Sequence, residues 1–208
     1  TRSGQNYFCS ISDITESFVR ADILEKEAES TELPCRIYLF QGLPKNDKME
    51  WIIQKTVELG VYEVIPVAMK NCVVKLDDKK AKSKVMRWQA IAESAAKQSK
   101  RSLIPEVKMP MSYKEAVAYA KELDVKLVPY ENEHGMAGTK AAMEQIEKGE
   151  SIAVFIGPEG GFAPEEIALV QDEMQLISLG KRILRTETAG IAALAILGYQ
   201  LESSDMIE

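Results

Sequence analysis

From position 35 onward, short apolar runs alternate with stretches whose apolar residues recur every three or four positions. The runs predict strands over 36–40, 64–68, 125–130, 152–157 and 176–180. The helical spacing predicts helices over 83–100, 113–123, 139–148, 164–174 and 187–202, and one more behind Asp47. In that helix Met49, Ile52, Ile53, Thr56 and Val57 share a face, Asp47 and Glu50 form a capping-box pair, and Gly60 is the natural C′ stop. Over 83–100, Val85, Trp88, Ala92 and Ala95 fall on one side, so Trp88 reads as a core residue rather than a base-stacking platform. Strands and amphipathic helices in this alternation predict an α/β domain with a largely parallel sheet. The first 33 residues differ. Runs at 7–11 and 17–24 predict two short strands, and an acidic patch at 25–32 follows. Two strands do not make a stable domain alone. Residues 1–33 therefore read as part of a small N-terminal β domain, and 34–208 as the main domain.

Two loops of the main domain stand out. The strand ending near Ile156 runs straight into Gly157-Pro158-Glu159-Gly160-Gly161-Phe162, and a helix opens at Pro164-Glu165-Glu166. Beyond the carboxyl end of a parallel strand is where ligands bind in such sheets. Three glycines let a backbone come close to a ligand and adopt positive φ. The loop is neither a P-loop nor a GxGxxG turn, and Glu159, Glu165 and Glu166 make it a poor host for phosphate. It suits an uncharged or cationic ligand, or is simply a tight strand-to-helix turn. Ala163 stands at the N-cap, where Ser or Asp would serve better. The second loop, 180–189, brings the polar Arg185-Thr186-Glu187-Thr188 to the start of the last helix, with Thr186 as the expected N-cap. The small and apolar residues of 190–197 fit a closely packed core helix.

Charge alters the picture more than composition does. The total is −6, which by itself counts against nucleic acid as a partner. It is an average over opposite regions. From Lys70 to Arg101 the chain carries 10 Lys and Arg against 3 Asp and Glu, a net of +7, leaving −13 for the rest. Cys9, Cys35 and Cys72 are odd in number and widely spaced, so no disulfide framework or CxxC pair is expected. They read as reduced, mostly buried thiols of a cytoplasmic protein. The single histidine, His134, sits in the polar, glycine-flanked ENEHGMAG and reads as a loop residue. A zinc site or Ser-His-Asp triad has almost no raw material, and no metal is expected. No apolar run approaches the ~20 residues that span a bilayer, so no membrane partner is expected. No signal peptide is visible, and since the chain starts at Thr1, an N-terminal piece is expected to be missing.

Two long motifs carry a resemblance. FIGPEGGFAPEEI, followed about 25 residues later by LGKRILRTETAGIAAL, resembles the RsmE-type family of SPOUT methyltransferases. KNDKMEWIIQKTVELGV and RWQAIAESAAKQSKR are similar to the same family's pattern, and the resemblance covers about residues 40–203. It implies S-adenosylmethionine-dependent methylation of N3 of a uridine in 16S ribosomal RNA, with free RNA or the assembled small subunit as substrate. It implies a SPOUT-type parallel sheet with a C-terminal trefoil knot, through which two copies form a homodimer. Knots are otherwise nearly absent from proteins, and no periodicity in the chain points to one. The N-terminal part would be the remnant of a PUA-like, RNA-binding β barrel, matched only in part by 1–33.

The resemblance also implies which residues hold the cofactor. They are Pro129 and Tyr130 with Glu131, then Gly157, Pro158, Glu159, Gly160 and Gly161, and then Leu179, Gly180, Ile183, Leu184, Arg185, Thr186 and Ala189. Methyl transfer from a sulfonium is an in-line displacement that needs alignment rather than a metal. Uridine N3 must lose a proton first. Arg185 is the candidate for holding the uracil anion or a phosphate, and Glu187 for the base, although Glu187 also suits a plain first-turn helix acid. Glu159 either contacts the cofactor or orients its loop. Lys75, Lys79, Lys80, Lys82, Arg87, Lys97, Gln98, Lys100 and Arg101 are the candidate RNA contacts, with Lys84 among them, and such phosphate contacts imply steep salt dependence. A SPOUT enzyme acting on another RNA such as tRNA, and a non-enzymatic RNA-binding assembly factor, are the competing readings.

Overall fold

A computed structural model describes residues 5–26, 30–133 and 135–205. His134, part of the acidic patch and the first four residues lie outside the described residues. The chain runs β1 (Tyr7–Ile14), β2 (Val19–Lys26), β3 (Arg36–Gly42), α1 (Lys48–Glu58), β4 (Glu63–Ala68), α2 (Asp78–Gln98), β5 (Glu106–Val107), β6 (Met111–Ser112), α3 (Tyr113–Ala120), β7 (Val125–Pro129), α4 (Ala137–Glu144), β8 (Ser151–Ile156), α5 (Pro164–Val170), β9 (Gln175–Ile177) and α6 (Thr186–Asp205).

Strands β3 to β9 form one sheet in the order β5-β4-β3-β8-β7-β9, with β6 beside β4. Every pairing in it is parallel. The central strands β3 and β8 are buried along nearly their whole length, as strands covered on both faces must be. Their register sets Phe40 beside Phe155, and the two rings stack 4.3 Å apart. From β3 the chain leaves toward β4, and from β8 it leaves toward β9 on the other side. The connections part at the middle of the sheet, the arrangement that opens a crevice at carboxyl ends.

The amphipathic faces agree with the spacing argument. Met49, Ile52, Ile53, Thr56 and Val57 are the buried face of α1, and Gly60 takes φ +93° just beyond it. Trp88 is buried on α2. Local details differ. Asp47 stands at the N-cap but its side chain makes no cap hydrogen bond: it pairs with Lys84, and Glu50 pairs with Arg87, so α2 has drawn both carboxylates of the expected capping box outward. Helix α2 starts five residues early because Asp77 accepts a hydrogen bond from the Lys80 N–H. Ser112 and Glu115 form a true capping box on α3. Helices α4 and α5 end earlier than their patterns suggest. The strands β5 and β6, two residues each, are too short for any periodic signal.

Strands β1 and β2 pair antiparallel as a hairpin with two register shifts. Both are exposed along their full length, including Phe8, Ile11, Ile14, Val19, Ile23 and Leu24. Cys35 and Cys72 are buried, as expected of mostly buried thiols, and only Cys9, on this hairpin, is exposed.

Arg101 also departs from its expected surface role. Its side chain is only 3% exposed. The guanidinium donates to the carbonyls of Val57 and Val61 at 3.1 and 2.6 Å and is ion-paired with Glu32. Glu32 in turn accepts from the N–H groups of Ser102 and Leu103. Arg101 thus ties the segment before β3 to the end of α1 and the loop after α2. Four of its five N–H groups are engaged, and the burial of the side chain keeps it from a phosphate at the surface.

Candidate active site

A cleft of about 670 Å³ opens beyond the carboxyl ends of β7, β8 and β9. Three stretches form its walls: the one after β7, the glycine loop after β8, and the segment between β9 and α6. Of the fifteen residues that the resemblance assigns to a cofactor, fourteen line it; Gly160 is the exception. It faces away, and its carbonyl accepts a hydrogen bond from the Asn71 amide at 3.0 Å. A Cβ on Gly160 would lie 2.9 Å from the Cβ of Asn71, so only glycine lets the loop β4–α2 dock there.

The glycine loop is held from several sides. Gly42, at the end of β3, would bring a Cβ to 2.7 Å from the Pro158 nitrogen, so its hydrogen is what allows strand and loop backbones to meet. The missing N-cap at Ala163 is replaced by Glu166, whose buried carboxylate accepts the N–H of Ala163 and the N–H of Lys70, each at 2.8 Å. Thr186 is not an N-cap either. Arg185 takes that place through its carbonyl, which accepts from the N–H groups of Thr188 and Ala189. The Thr186 hydroxyl instead donates to the Gly157 carbonyl at 2.6 Å and accepts from Gln41 Nε2 at 2.9 Å. It fastens the first turn of α6 to the glycine loop and to β3. Thr186→Val takes one partner from the half-buried Gly157 carbonyl and one from the buried Gln41 amide, which keeps its bond to the Gly42 carbonyl. We expect it to cost about 1–3 kcal/mol. Thermal unfolding would show this as a Tm lower by several degrees, at roughly 2–4 °C per kcal/mol in a chain of this size.

Charge in and around the cleft is divided. Arg185 is exposed and lines it, and its guanidinium makes no hydrogen bond or ion pair with another described residue. Lys181 and Arg182 lie on the same wall, and Glu131 and Glu133 on the stretch after β7. Glu187 is not among the lining residues. Its carboxylate pairs with Lys48 at 3.1 Å, and Lys48, which does line the cleft, also pairs with Glu159 at 3.0 Å. Burial opposes the charged form of Glu159, but hydrogen bonds from Lys48 and from backbone N–H groups outweigh it and hold the carboxyl below its ordinary range. The hydrogen bond to Glu159 raises Lys48 above the usual lysine value.

Lys48 and Gln41 are among the site residues that sequence reasoning missed, with Glu133, Ile156, Lys181 and Arg182 of the cleft lining. Lys48 stands inside the quoted KNDKMEW motif, which was a usable signal. Gln41 is a fully buried polar residue at the end of an apolar strand, and such a break in the pattern often marks a polar contact. Trp88, Cys72 and the remaining core need no functional role. Among the described residues no group of three or more His, Cys, Asp and Glu could hold a metal ion. No helix among them is long and apolar enough to cross a membrane.

The candidate RNA contacts other than Arg101 and the half-buried Lys84 are exposed on α2 and its flanks. Lys80 and Lys97 pair with Asp77 and Glu93, and exposed pairs of this kind are weak enough to be exchanged for phosphate, whereas Arg87 pairs with the largely buried Glu50. The pairs Lys84–Asp47 and Arg87–Glu50 place the basic face against the first turn of α1. That turn carries Lys48, so the basic face and the cleft meet at α1.

Residues 31–198 match a family model described as an RNA methyltransferase domain. The chain is 39% identical over 198 residues to the ribosomal RNA small subunit methyltransferase E of Bacillus subtilis, covering 93% of this chain and 77% of that one. The crystal structure of a ribosomal RNA small subunit methyltransferase E from Neisseria gonorrhoeae bound to S-adenosyl methionine superposes with a TM-score of 0.80 at 32% identity, covering 95% and 80% of the two chains. A crystal structure described only as that of a hypothetical protein gives 0.90 at 39% identity, covering 97% and 81%.

Proposed function

Because this chain belongs to the RNA methyltransferase domain family, we propose that it methylates N3 of a uridine in 16S ribosomal RNA, with S-adenosylmethionine as donor. The observation that carries this reading is the cleft, with Arg185, unpaired among the described residues, on its wall and the basic face of α2 adjoining it through α1.

The cleft suits that donor. Its volume falls in the ~300–1,000 Å³ range of small-molecule sites. Ile156, Leu179, Ile183 and Leu184 offer apolar surface for an adenosine, and Glu131, Glu133 and Glu159 offer negative charge for a sulfonium and an ammonium. The backbones of the glycine loop and of the segment before α6 are available to read an adenine edge. When bound, the cofactor supplies an electrophilic methyl group that needs no further activation.

What remains for the protein is to place the nucleophile and remove its proton. Arg185 stands where a guanidinium can hold the negative charge that spreads onto the uracil oxygens as N3 is deprotonated. Glu187, in the first turn of α6, is the carboxylate assigned to take the N3 proton. The exposed lysines of α2 hold the RNA backbone, and the hairpin β1–β2 belongs to an N-terminal RNA-binding part. The loops after β7, β8 and β9 form the C-terminal knot, and two copies pair through it. The return of α6 from the edge strand β9 to the middle of the sheet supports that assignment.

The test is mass spectrometry of ribosomal RNA from cells lacking the gene. Loss of 3-methyluridine from the small subunit, restored by the gene, is expected. An unchanged pattern there, with a methylated base lost from tRNA instead, would redirect the reading to another RNA. Calorimetry that finds no S-adenosylmethionine binding would reject enzymatic activity altogether.

A further inference from the structure

Lys48 occupies a place that the chemistry above does not yet use. It sits in the first turn of α1, is about a quarter exposed, and lines the cleft. Its ammonium joins two carboxylates from different elements: Glu159 of the glycine loop at 3.0 Å and Glu187 of α6 at 3.1 Å. Glu159 is fixed a second time by the N–H of Lys45 at 3.1 Å, so the segment leading into α1 is docked on the glycine loop as a unit. The turn itself is anchored from behind, where Asp47 and Glu50 pair with Lys84 and Arg87 of α2. An ammonium on a flexible stem ordinarily samples many positions. Here the stem is short of freedom at its base and its head is shared by two acids.

We propose that Lys48 is the positioning residue of the transfer step: by bridging Glu159 and Glu187, it fixes the Glu187 carboxylate relative to the loop that holds the cofactor. This rests on the methyltransferase reading given above. Both carboxylates lie within 3.1 Å of one nitrogen and are therefore close neighbours. Without the cation between them, like charges repel and the two groups separate. A displacement of ~1 Å at a reacting group is enough to lower a rate ~100-fold. Lys48 would act through Glu187 rather than on the uracil, and its removal should be felt in turnover more than in binding.

Single-turnover methyl transfer to small-subunit RNA, with calorimetry for S-adenosylmethionine, tests this on the full chain. Lys48→Met is expected to lower kcat about 100-fold. The KM for RNA and the Kd for the cofactor should stay within about threefold, the pattern of an interaction that matters only in the transition state. Lys48→Arg should recover most of the rate, because a guanidinium can span the same two acids. The decisive variant is the double one. If Lys48 works through Glu187, K48M/E187Q should be no slower than E187Q alone, a full departure from additivity. Lys48→Gln repeats the series should Lys48→Met fail to fold by circular dichroism. A kcat near wild type in the folded single variants, or a double variant slowed by the product of the two single effects, overturns the proposal. A wild-type protein that binds no cofactor or transfers no methyl group overturns the methyltransferase reading instead.

Discussion

Replacing Arg185 by alanine should remove methyl transfer, by at least ~10²-fold to 10³-fold if its guanidinium stabilises the anion that forms on the uracil. The Kd for S-adenosylmethionine should stay within several-fold, because what Arg185 gives the loop is its backbone. Its carbonyl caps α6 by accepting from Thr188 and Ala189, and alanine provides the same carbonyl. Its side chain is exposed and makes no bond to another described residue, so truncation leaves no buried group unpaired. Stability should therefore be nearly unchanged, and the loss should fall on chemistry alone. Arg185→Lys separates charge from shape. A lysine restores the charge without the planar fork that can meet two oxygens at once, and partial recovery is expected. Single-turnover rates beside calorimetry make the measurement. Turnover near wild type in Arg185→Ala would move the role to another cation of that wall, Lys181 or Arg182.

The opposite profile is expected at Arg101. Arg101→Met should cost about 3–5 kcal/mol of stability, the range for removing one member of a buried ion pair. The loss comes from three directions at once: the carbonyls of Val57 and Val61, at and just beyond the end of α1, each lose the guanidinium as a donor, and the Glu32 carboxylate keeps only the N–H groups of Ser102 and Leu103. Adding Glu32→Gln to Arg101→Met should restore part of the loss, since no uncompensated charge then remains. Arg101→Lys should recover little, because an ammonium cannot reach two carbonyls and a carboxylate in the guanidinium's plane. Urea unfolding measures all three. The salt dependence of RNA binding should be unaltered in whichever variant stays folded. A slope reduced by about one phosphate contact would return Arg101 to the RNA-binding surface.

Arg101 shows how far a linear pattern reaches. Its sign and its place in a basic stretch are written in the chain, and from these it reads like its neighbour Lys100. Whether a cation at the end of α2 faces solvent or turns inward depends on Glu32, Val57 and Val61, which come from two distant segments. Asp47 and Glu50 teach the same lesson in reverse. Their spacing is that of a capping box, but α2 packs alongside and offers Lys84 and Arg87, and a tertiary ion pair displaced the local bond. Thr186 has an N-cap's chemistry at a helix start, yet the Gly157 carbonyl and the Gln41 amide claim its hydroxyl.

By itself the sequence determined the α/β class, the faces of the helices, the glycine loop after β8 and the polar start of α6. Each of these follows from nearest-neighbour physics: hydrophobic period, the conformational range of glycine, and the termini of helices. It also carried the family, through motifs long enough to be specific. Only the tertiary structure decided which carboxylates meet which cations. The joining of Glu159 to Glu187 through Lys48, the fastening of Thr186 to the glycine loop, and the withdrawal of Arg101 from the surface all depend on contacts between residues far apart in sequence. Polar bonds are short-ranged and directional, so their partners are settled only once packing has brought the segments together.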